Sequence, residues 1–180
     1  VLMQKVDVPW EIILGDDEST DGTREICTEY AKKYPNLIRL FLHKRKNNIS
    51  ILGQSCGIYQ YVYNTLMIRG EYIAVLSGDD YWTSEYKLQK QYLFLEKNNK
   101  YSMALLPNQK VSIVNNEKEY GLIKKGFKAS SVMYRNHFER LPREFLETIN
   151  EDIFFREIAR QYGKGMMLDD AGEVCYNINY

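Results

Sequence analysis

Apolar runs alternate with amphipathic stretches over residues 10–97, and this order constrains the fold more than any other feature of the chain. The run at 10–15 (WEIILG) is continuous rather than alternating, as expected of a strand buried on both faces, and 38–42 and 72–76 are further strand candidates. Apolar side chains at helical spacing follow each run: Ile26, Tyr30 and Tyr34, then Cys56, Tyr59, Tyr63 and Leu66, then Leu88, Tyr92 and Leu95. The sequence therefore predicts an α/β fold with a mostly parallel central sheet and flanking helices.

The second half of the chain has a mixed pattern. We predict strands at 101–106, 130–135 and 174–178, a hairpin from 111–114 and 120–123, and a helix over 151–162. That helix has its inward face at Ile153, Phe154, Ile158 and Ala159. We expect one domain of two halves, with residues 1–100 binding a ligand and residues 101–180 completing the site.

Composition excludes several classes of protein. The chain has 180 residues, of which 44% are hydrophobic, and its 24 Lys and Arg balance its 24 Asp and Glu. These values are typical of a globular domain and argue against a nucleic-acid binder, which usually carries a basic excess. Residues 47–68 contain no charge, but their many polar side chains favour a helix of a globular domain over a membrane span. Three widely spaced cysteines predict no disulfide framework and favour a reducing, cytoplasmic compartment.

Two acidic pairs each follow a predicted strand. Asp16 and Asp17 come after the first run, and Asp79 and Asp80 come after the third. In a parallel sheet both strand ends meet at one edge, where ligands bind, so we expect the pairs to face one pocket. Mg²⁺ or Mn²⁺ held by one pair and a diphosphate would offset the mutual repulsion of the carboxylates. The alternative for each pair is a turn or a helix cap.

Three further features near these pairs each have two interpretations. Tyr81 and Trp82 are either core aromatics or a wall on which a sugar or base stacks. Glu151 and Asp152 begin the late helix, where the helix dipole alone favours acidic side chains, but a carboxylate there also suits a general base. His43, in the basic segment HKRK, is interpreted as part of a solvated loop, with phosphate binding as the alternative.

Four segments resemble family 2 inverting glycosyltransferases of bacterial type, which have the GT-A nucleotide-diphospho-sugar transferase fold. WEIILGDDESTDGTREI (10–26) resembles the family signature, and GEYIAVLSGDDYWTSEYKLQKQYLFLE (70–96) resembles its metal-motif segment. ASSVMYRN (129–136) and NEDIFFREIARQYG (150–163) follow in the family's order. The resemblance covers almost the whole chain and implies transfer of a sugar from a nucleotide-diphospho-sugar, favouring a UDP-sugar, to an acceptor hydroxyl with inversion.

The resemblance also implies roles for individual residues. Asp16, Asp17 and Asp79 bind the donor nucleotide, and Asp79 and Asp80 hold Mn²⁺ or Mg²⁺ with the diphosphate. Asp152 is the catalytic base, with Glu151 beside it on the acceptor side. The acceptor is a glycan, a lipid-linked molecule or a protein, as in polysaccharide biosynthesis, and the location is cytoplasmic and membrane-associated.

Three departures from the family pattern leave an alternative open. Ser77 stands where many relatives have an acidic residue, YNINY (176–180) lacks the usual Arg and His, and we expect the family's first strand to be missing before Val1. The alternative is a non-catalytic sugar-nucleotide-binding or interaction module. A magnesium-dependent receiver-type α/β domain is a third, disfavoured hypothesis.

Overall fold

The strand that contains Asp16 and Asp17 pairs in parallel with the next strand of the chain, and this pair organises the first part of the fold. The computed structural model describes residues 1–51, 54–56, 58–114, 117–123, 128–138, 151–168 and 174–177. Within these ranges it describes the backbone alone at 49–51, 54–56, 58, 108–114, 117–123, 151, 152, 154 and 174–177.

Twelve strands and four helices are described. The strands are β1 (Ile12–Asp17), β2 (Ile38–His43), β3 (Ile49–Ile51), β4 (Gln54–Cys56), β5 (Tyr72–Ala74), β6 (Asp80–Trp82), β7 (Tyr101–Leu105), β8 (Asn108–Val114), β9 (Glu117–Ile123), β10 (Val132–Arg135), β11 (Lys164–Met167) and β12 (Val174–Asn177). The helices are α1 (Thr23–Lys33), α2 (Ile58–Leu66), α3 (Lys87–Lys97) and α4 (Glu151–Tyr162), with 3₁₀ turns at Arg45–Asn47 and Ala129–Ser131.

The chain divides into two compact units. The β1 unit contains Pro9–Gly70 and His137–Arg156, and the β7 unit contains Val1–Val8, Glu71–Asn136 and Glu157–Tyr180. Each unit therefore takes residues from both sides of position 100, the boundary expected between the two halves. Each is described below by itself.

In the β1 unit, β1 and β2 run parallel from the Ile12–Ile38 pair to the Asp17–His43 pair. Helix α1 packs on both strands and α2 packs on β1. Gly22 precedes α1 at φ 92°, a backbone conformation that glycine adopts without strain, and α1 ends at Lys33, with Tyr34 as its cap residue before Pro35. The predicted parallel pairing of the first two strands is confirmed, and both acidic residues lie at the carboxyl end of β1.

In the β7 unit, one four-stranded sheet has the order β11-β7-β10-β5 and another has the order β6-β12-β8-β9. Strand β10 is antiparallel to both β5 and β7, whereas β11 is parallel to β7. Helix α3 packs on β7 and β10. The described partner of β5 is thus an antiparallel strand of the second half, and the predicted hairpin is confirmed as β8 and β9.

The rotation of α1 differs from the prediction. Ile26 and Tyr30, which the sequence places on the apolar face of this helix, are 57% and 43% exposed. The Arg24 side chain instead bonds to Asp16 and to the His43 carbonyl, which turns the Arg24 face of the helix toward β1 and β2. These two hydrogen bonds of Arg24, rather than the apolar face, determine which face of α1 lies against the strands.

Two further predictions about helices are wrong. Cys56 lies in β4, which pairs with β3, so the second helix begins only at Ile58. On the predicted inward face of α4, Ile158 and Ala159 are buried as predicted, the Phe154 side chain lies outside the described residues, and Ile153 is exposed. Phe155 is buried instead and stacks on Phe138 at 4.3 Å between ring centroids.

Candidate functional site

Asp16 is tied into the fold by its carboxylate. Its side chain is 1% exposed and accepts a hydrogen bond from Arg24 Nε at 2.5 Å and from the Ser19 N–H at 3.4 Å. Burial alone would raise the pKa of Asp16, but the hydrogen bonds from Ser19 and Arg24 outweigh it and lower that pKa below its ordinary value. Asp16 thus fixes the start of α1 against the end of β1, and its predicted contact with the nucleotide stays a prediction.

Asp17 has different surroundings. Asn48 Nδ2 donates to Asp17 Oδ2 at 2.6 Å, and Arg45 Nε donates to the Asp17 carbonyl at 3.1 Å. Asp17 Oδ1 is buried and has no hydrogen-bond partner within the described part of the chain. A buried carboxylate oxygen without a donor is costly, so this atom is the clearest acceptor for a ligand N–H or O–H in the β1 unit.

Amide side chains cover the same end of β1. A Cβ on Gly15 would lie 2.1 Å from Asn64 Nδ2 and 3.3 Å from Gln60 Cδ, so these side chains lie directly on the strand backbone. Asn48 Oδ1 and Gln60 Oε1 are also buried without a partner among the described residues. Three acceptors without donors make this edge suited to a ligand rich in N–H and O–H groups.

His43 belongs to the core of this edge, so its interpretation as part of a solvated loop was wrong. It is the last residue of β2 and is 6% exposed. Its Nε2 lies 3.1 Å from Asn64 Oδ1, and the rings of Tyr59 and Tyr63 meet it edge-on. The parallel ladder extends through the Asp17–His43 pair, which carries His43 into the core before the exposed residues Lys44, Arg45 and Lys46.

The second acidic pair lies in the β7 unit. Asp79 is exposed, and Asp80 begins β6 with its carboxylate half-buried. Ser130 Oγ donates to Asp80 Oδ2 and accepts from the Ser77 N–H at 3.2 Å. Burial raises the pKa of Asp80, as does the charge of Asp79, while the Ser130 hydrogen bond and Lys128 act in the opposite direction.

Trp82 lies in the core of this unit. It is 7% exposed, and its Nε1 donates to the Ser130 carbonyl at 2.8 Å. Lys87 Nζ lies 4.3 Å from the centroid of the Trp82 ring. This placement favours the core alternative for Trp82 over a sugar wall, while Tyr81 is partly exposed and its role stays a prediction.

A buried lysine supports this tryptophan. Lys87 is 1% exposed, and burial lowers its pKa to about 7. Its Nζ donates to Gln91 Oε1 at 2.7 Å, and Gln91 Nε2 donates to the Ala104 and Ser131 carbonyls. The β6 segment therefore rests on a hydrogen-bonded layer whose polar groups are paired.

The predicted base lies at the start of α4. The helix begins at Glu151, which places Glu151 and Asp152 in its first turn, and their side chains lie outside what the structure describes. In the described ranges, no group of three or more His, Cys, Asp or Glu side chains is arranged to hold a metal.

The model of the family described as "Glycosyl transferase family 2" matches residues 2–163. The chain belongs to glycosyl transferase family 2. The mixed α/β structure, with parallel strands and covering helices, is consistent with the GT-A fold of such enzymes.

Several curated proteins are similar to this family 2 chain. An uncharacterized protein of Mycobacterium tuberculosis (strain ATCC 25618 / H37Rv) is 39% identical over 58% of this chain and 28% of its own length. The putative glycosyltransferase EpsE of Bacillus subtilis (strain 168) is 36% identical over 53% of this chain and 31% of its own. The putative teichuronic acid biosynthesis glycosyltransferase TuaG of the same organism is 33% identical over 48% and 30%. The aligned part thus spans about a third or less of each relative.

Sequence reasoning did not assign a role to Asn48, Gln60 or Ser130 in this family 2 chain. Asn48 and Gln60 fall in the uncharged stretch 47–68, whose pattern bears on a globular helix or a membrane span and not on a ligand, and Ser130 falls in ASSVMYRN, which the family resemblance gives no role. Their contacts reach across 31 residues for Asn48 and 50 for Ser130. Small polar side chains immediately before a buried strand were the available signal for Ser130.

Among the residues that the structure describes, no helix combines the length and the apolarity needed to cross a bilayer. The predicted convergence of the two acidic pairs stays a prediction, because each pair is described within its own unit.

Proposed function

We propose that the chain transfers a sugar from a nucleotide-diphospho-sugar, with a UDP-sugar favoured, to an acceptor hydroxyl, with inversion at the anomeric carbon and help from a divalent cation. The observation that carries the proposal is Oδ1 of Asp17 at the carboxyl end of β1, which is buried and has no hydrogen-bond partner among the described residues. In a family of glycosyl transferases, the N–H of a base or a ribose hydroxyl is the expected donor to this atom.

The polar groups at the carboxyl end of β1 are preorganised to bind the sugar-nucleotide. Asn48 holds Asp17 Oδ2, so the carboxylate keeps one orientation and presents Oδ1 as an acceptor. The acceptors Asn48 Oδ1 and Gln60 Oε1 add to the same preference for ligands with N–H and O–H groups. Preorganised acceptors discriminate strongly, because a ligand without the matching donor leaves them unpaired.

Asp79 and Asp80 fit the role of cation ligands. Mn²⁺ and Mg²⁺ prefer oxygen ligands and commonly take one or two carboxylates, with phosphate oxygens completing the shell. Two adjacent carboxylates, one half-buried and oriented by Ser130, suit that arrangement. When bound, the cation would offset the negative charge of the departing diphosphate.

Asp152 is proposed as the base that takes the proton of the acceptor hydroxyl, with Glu151 beside it. Both residues lie in the first turn of α4, where the positive end of the helix dipole keeps a carboxylate in the ionised form that a general base needs. Direct displacement by the activated hydroxyl needs no covalent sugar–enzyme intermediate. The acceptor is proposed to be a glycan, a lipid-linked molecule or a protein, handled in the cytoplasm near a membrane.

The experiment is calorimetry of UDP in the presence of Mn²⁺ on wild type and Asp17→Asn. Removing the charged acceptor of a buried hydrogen bond costs about 1.5–3 kcal/mol of binding free energy. We therefore expect Asp17→Asn to weaken UDP binding about 10- to 100-fold. Asp21→Asn is the matched control. Asp21 is an exposed carboxylate four residues after Asp17, and in the described part of the chain it accepts a hydrogen bond from the Thr23 N–H. Equal affinities for wild type and Asp17→Asn would contradict the role of Asp17 in recognising the nucleotide.

A further inference from the structure

We infer that Ser130 is a positioning residue for Asp80, and that its hydroxyl sets how tightly the Asp79–Asp80 pair holds a divalent cation. The inference rests on the proposed function, in which these two carboxylates bind Mn²⁺ or Mg²⁺. It adds a residue 50 positions away in sequence whose side chain contacts the carboxylate rather than the cation.

The Ser130 hydroxyl joins two parts of the acidic turn. It donates its one hydrogen to Asp80 Oδ2 and accepts from the Ser77 N–H at 3.2 Å. The Asp80 N–H in turn donates to the Ser77 carbonyl at 3.1 Å. These three hydrogen bonds fix both the backbone of the Ser77–Asp80 turn and the torsion of the Asp80 carboxylate.

Ser130 is itself held in place by hydrogen bonds to backbone carbonyls, its own and that of Ser131. It is 1% exposed, its carbonyl accepts from Trp82 Nε1 at 2.8 Å, and the neighbouring Ser131 carbonyl accepts from Gln91 Nε2 at 2.9 Å. Lys87 connects these contacts, with Nζ bonded to Gln91 Oε1 and placed over the Trp82 ring. The hydroxyl is therefore fixed by core groups that are buried and paired.

This arrangement bears directly on cation binding. A carboxylate with one oxygen held by a charge-assisted hydrogen bond presents its other oxygen in one direction, so less freedom is lost when a cation binds. Without the hydroxyl, the half-buried Asp80 would rotate, and the Ser77 N–H would lose its acceptor. Outer partners of this kind typically change metal affinity 10- to 100-fold.

The test measures Mn²⁺ affinity by electron paramagnetic resonance, with UDP present, on the 180-residue chain. We expect Ser130→Ala to weaken Mn²⁺ binding at least 10-fold and Ser130→Thr, which keeps a hydroxyl, to restore it to within about 3-fold. Ser130→Cys nearly conserves volume and decides the question if the alanine variant does not fold, because its thiol is a weak donor. Ser131→Ala is the matched control, since that equally buried hydroxyl bonds to the Lys128 carbonyl, and it should bind Mn²⁺ like wild type.

Asp80→Ala separates the two levels of the argument. Loss of Mn²⁺ binding in Asp80→Ala with unchanged binding in the Ser130 variants would overturn the positioning role and leave the proposed cation site standing. Unchanged binding in Asp80→Ala would overturn the cation site and the positioning role together. A thermal unfolding curve for each variant shows whether a loss of Mn²⁺ binding is caused by unfolding. Rescue by Ser130→Thr and wild-type binding by Ser131→Ala are not expected if unfolding is the cause.

Discussion

Asp16 and Asp17 are adjacent in sequence, yet their carboxylates have opposite surroundings. Asp16 is paired with Arg24, and its lowered pKa reflects a charge that the fold itself stabilises. Asp17 has one oxygen bonded to Asn48 and the other buried without a described partner. At the scale of single residues, one carboxylate builds the edge of the sheet and its neighbour is available to recognise a ligand.

Lys87 gives a prediction about pH at the same scale. Burial lowers its pKa to about 7, whereas an unfolded lysine titrates near 10.4, so between these values the unfolded chain binds the extra proton. Lys87 therefore makes stability rise with pH above about 7, by at most about 1.4 kcal/mol per pH unit. We expect Lys87→Met to remove this slope in urea unfolding at pH 7, 8 and 9. Lys90→Met, which changes an exposed lysine of the same helix, should keep the slope. Parallel pH profiles for wild type and Lys87→Met would refute the prediction.

The elements of the first half could be predicted because their signals are local. Strands β1 and β2 and helices α1 and α3 follow from runs and spacings within a few residues, and the structure confirms them. The face that α1 buries could not be predicted, because Arg24 contacts Asp16 and the His43 carbonyl, groups that only the folded chain brings to it. Of the site, the sequence supplied the acidic residues but not Asn48 or Ser130, whose partners lie 31 and 50 residues away.

The end of β1 makes a prediction at the scale of elements. A Cβ on Gly15 would lie 2.1 Å from Asn64 Nδ2, and Asn64 is also held by His43, so the amide must leave that hydrogen bond to make room. We expect Gly15→Ala to lower the free energy of unfolding by about 1–3 kcal/mol, as overpacking usually does, measured by urea denaturation. Gly78→Ala is the control, because its Cβ would meet nothing within 4 Å, and it should stay within about 1 kcal/mol of wild type. A Gly15→Ala protein as stable as Gly78→Ala would show that Asn64 does not pack on the strand as described.

At the scale of the whole molecule, family membership assigns the chain to the glycosyl transferases, and each unit supplies one acidic pair. We propose that Asp17, in the β1 unit, recognises the nucleotide and that Asp79 and Asp80, in the β7 unit, bind the cation. The relatives EpsE and TuaG are about three times as long as the parts that align with this chain. The acceptor named above is therefore a proposal.

The proposed base gives a prediction at this scale. We expect Asp152→Asn to keep Mn²⁺-dependent UDP binding but to slow transfer about 10²- to 10⁴-fold, the usual contribution of a positioned base. A standard panel of UDP-sugars and acceptors first identifies the pair that the wild-type chain uses. The rate of UDP release with that pair is then measured for each variant. Glu157→Gln, which changes an exposed carboxylate five residues later in α4, is the control and should keep the wild-type rate. A near-normal rate for Asp152→Asn would move the base elsewhere.

The most direct test of the central claim is isothermal calorimetry of UDP with the wild-type chain, first with Mn²⁺ and then with EDTA. A nucleotide-diphosphate site that depends on Asp79 and Asp80 predicts saturable binding with Mn²⁺ and its loss with EDTA. Binding that is unchanged by EDTA would contradict the role of the cation. No binding under either condition would contradict the claim that this chain recognises a uridine donor.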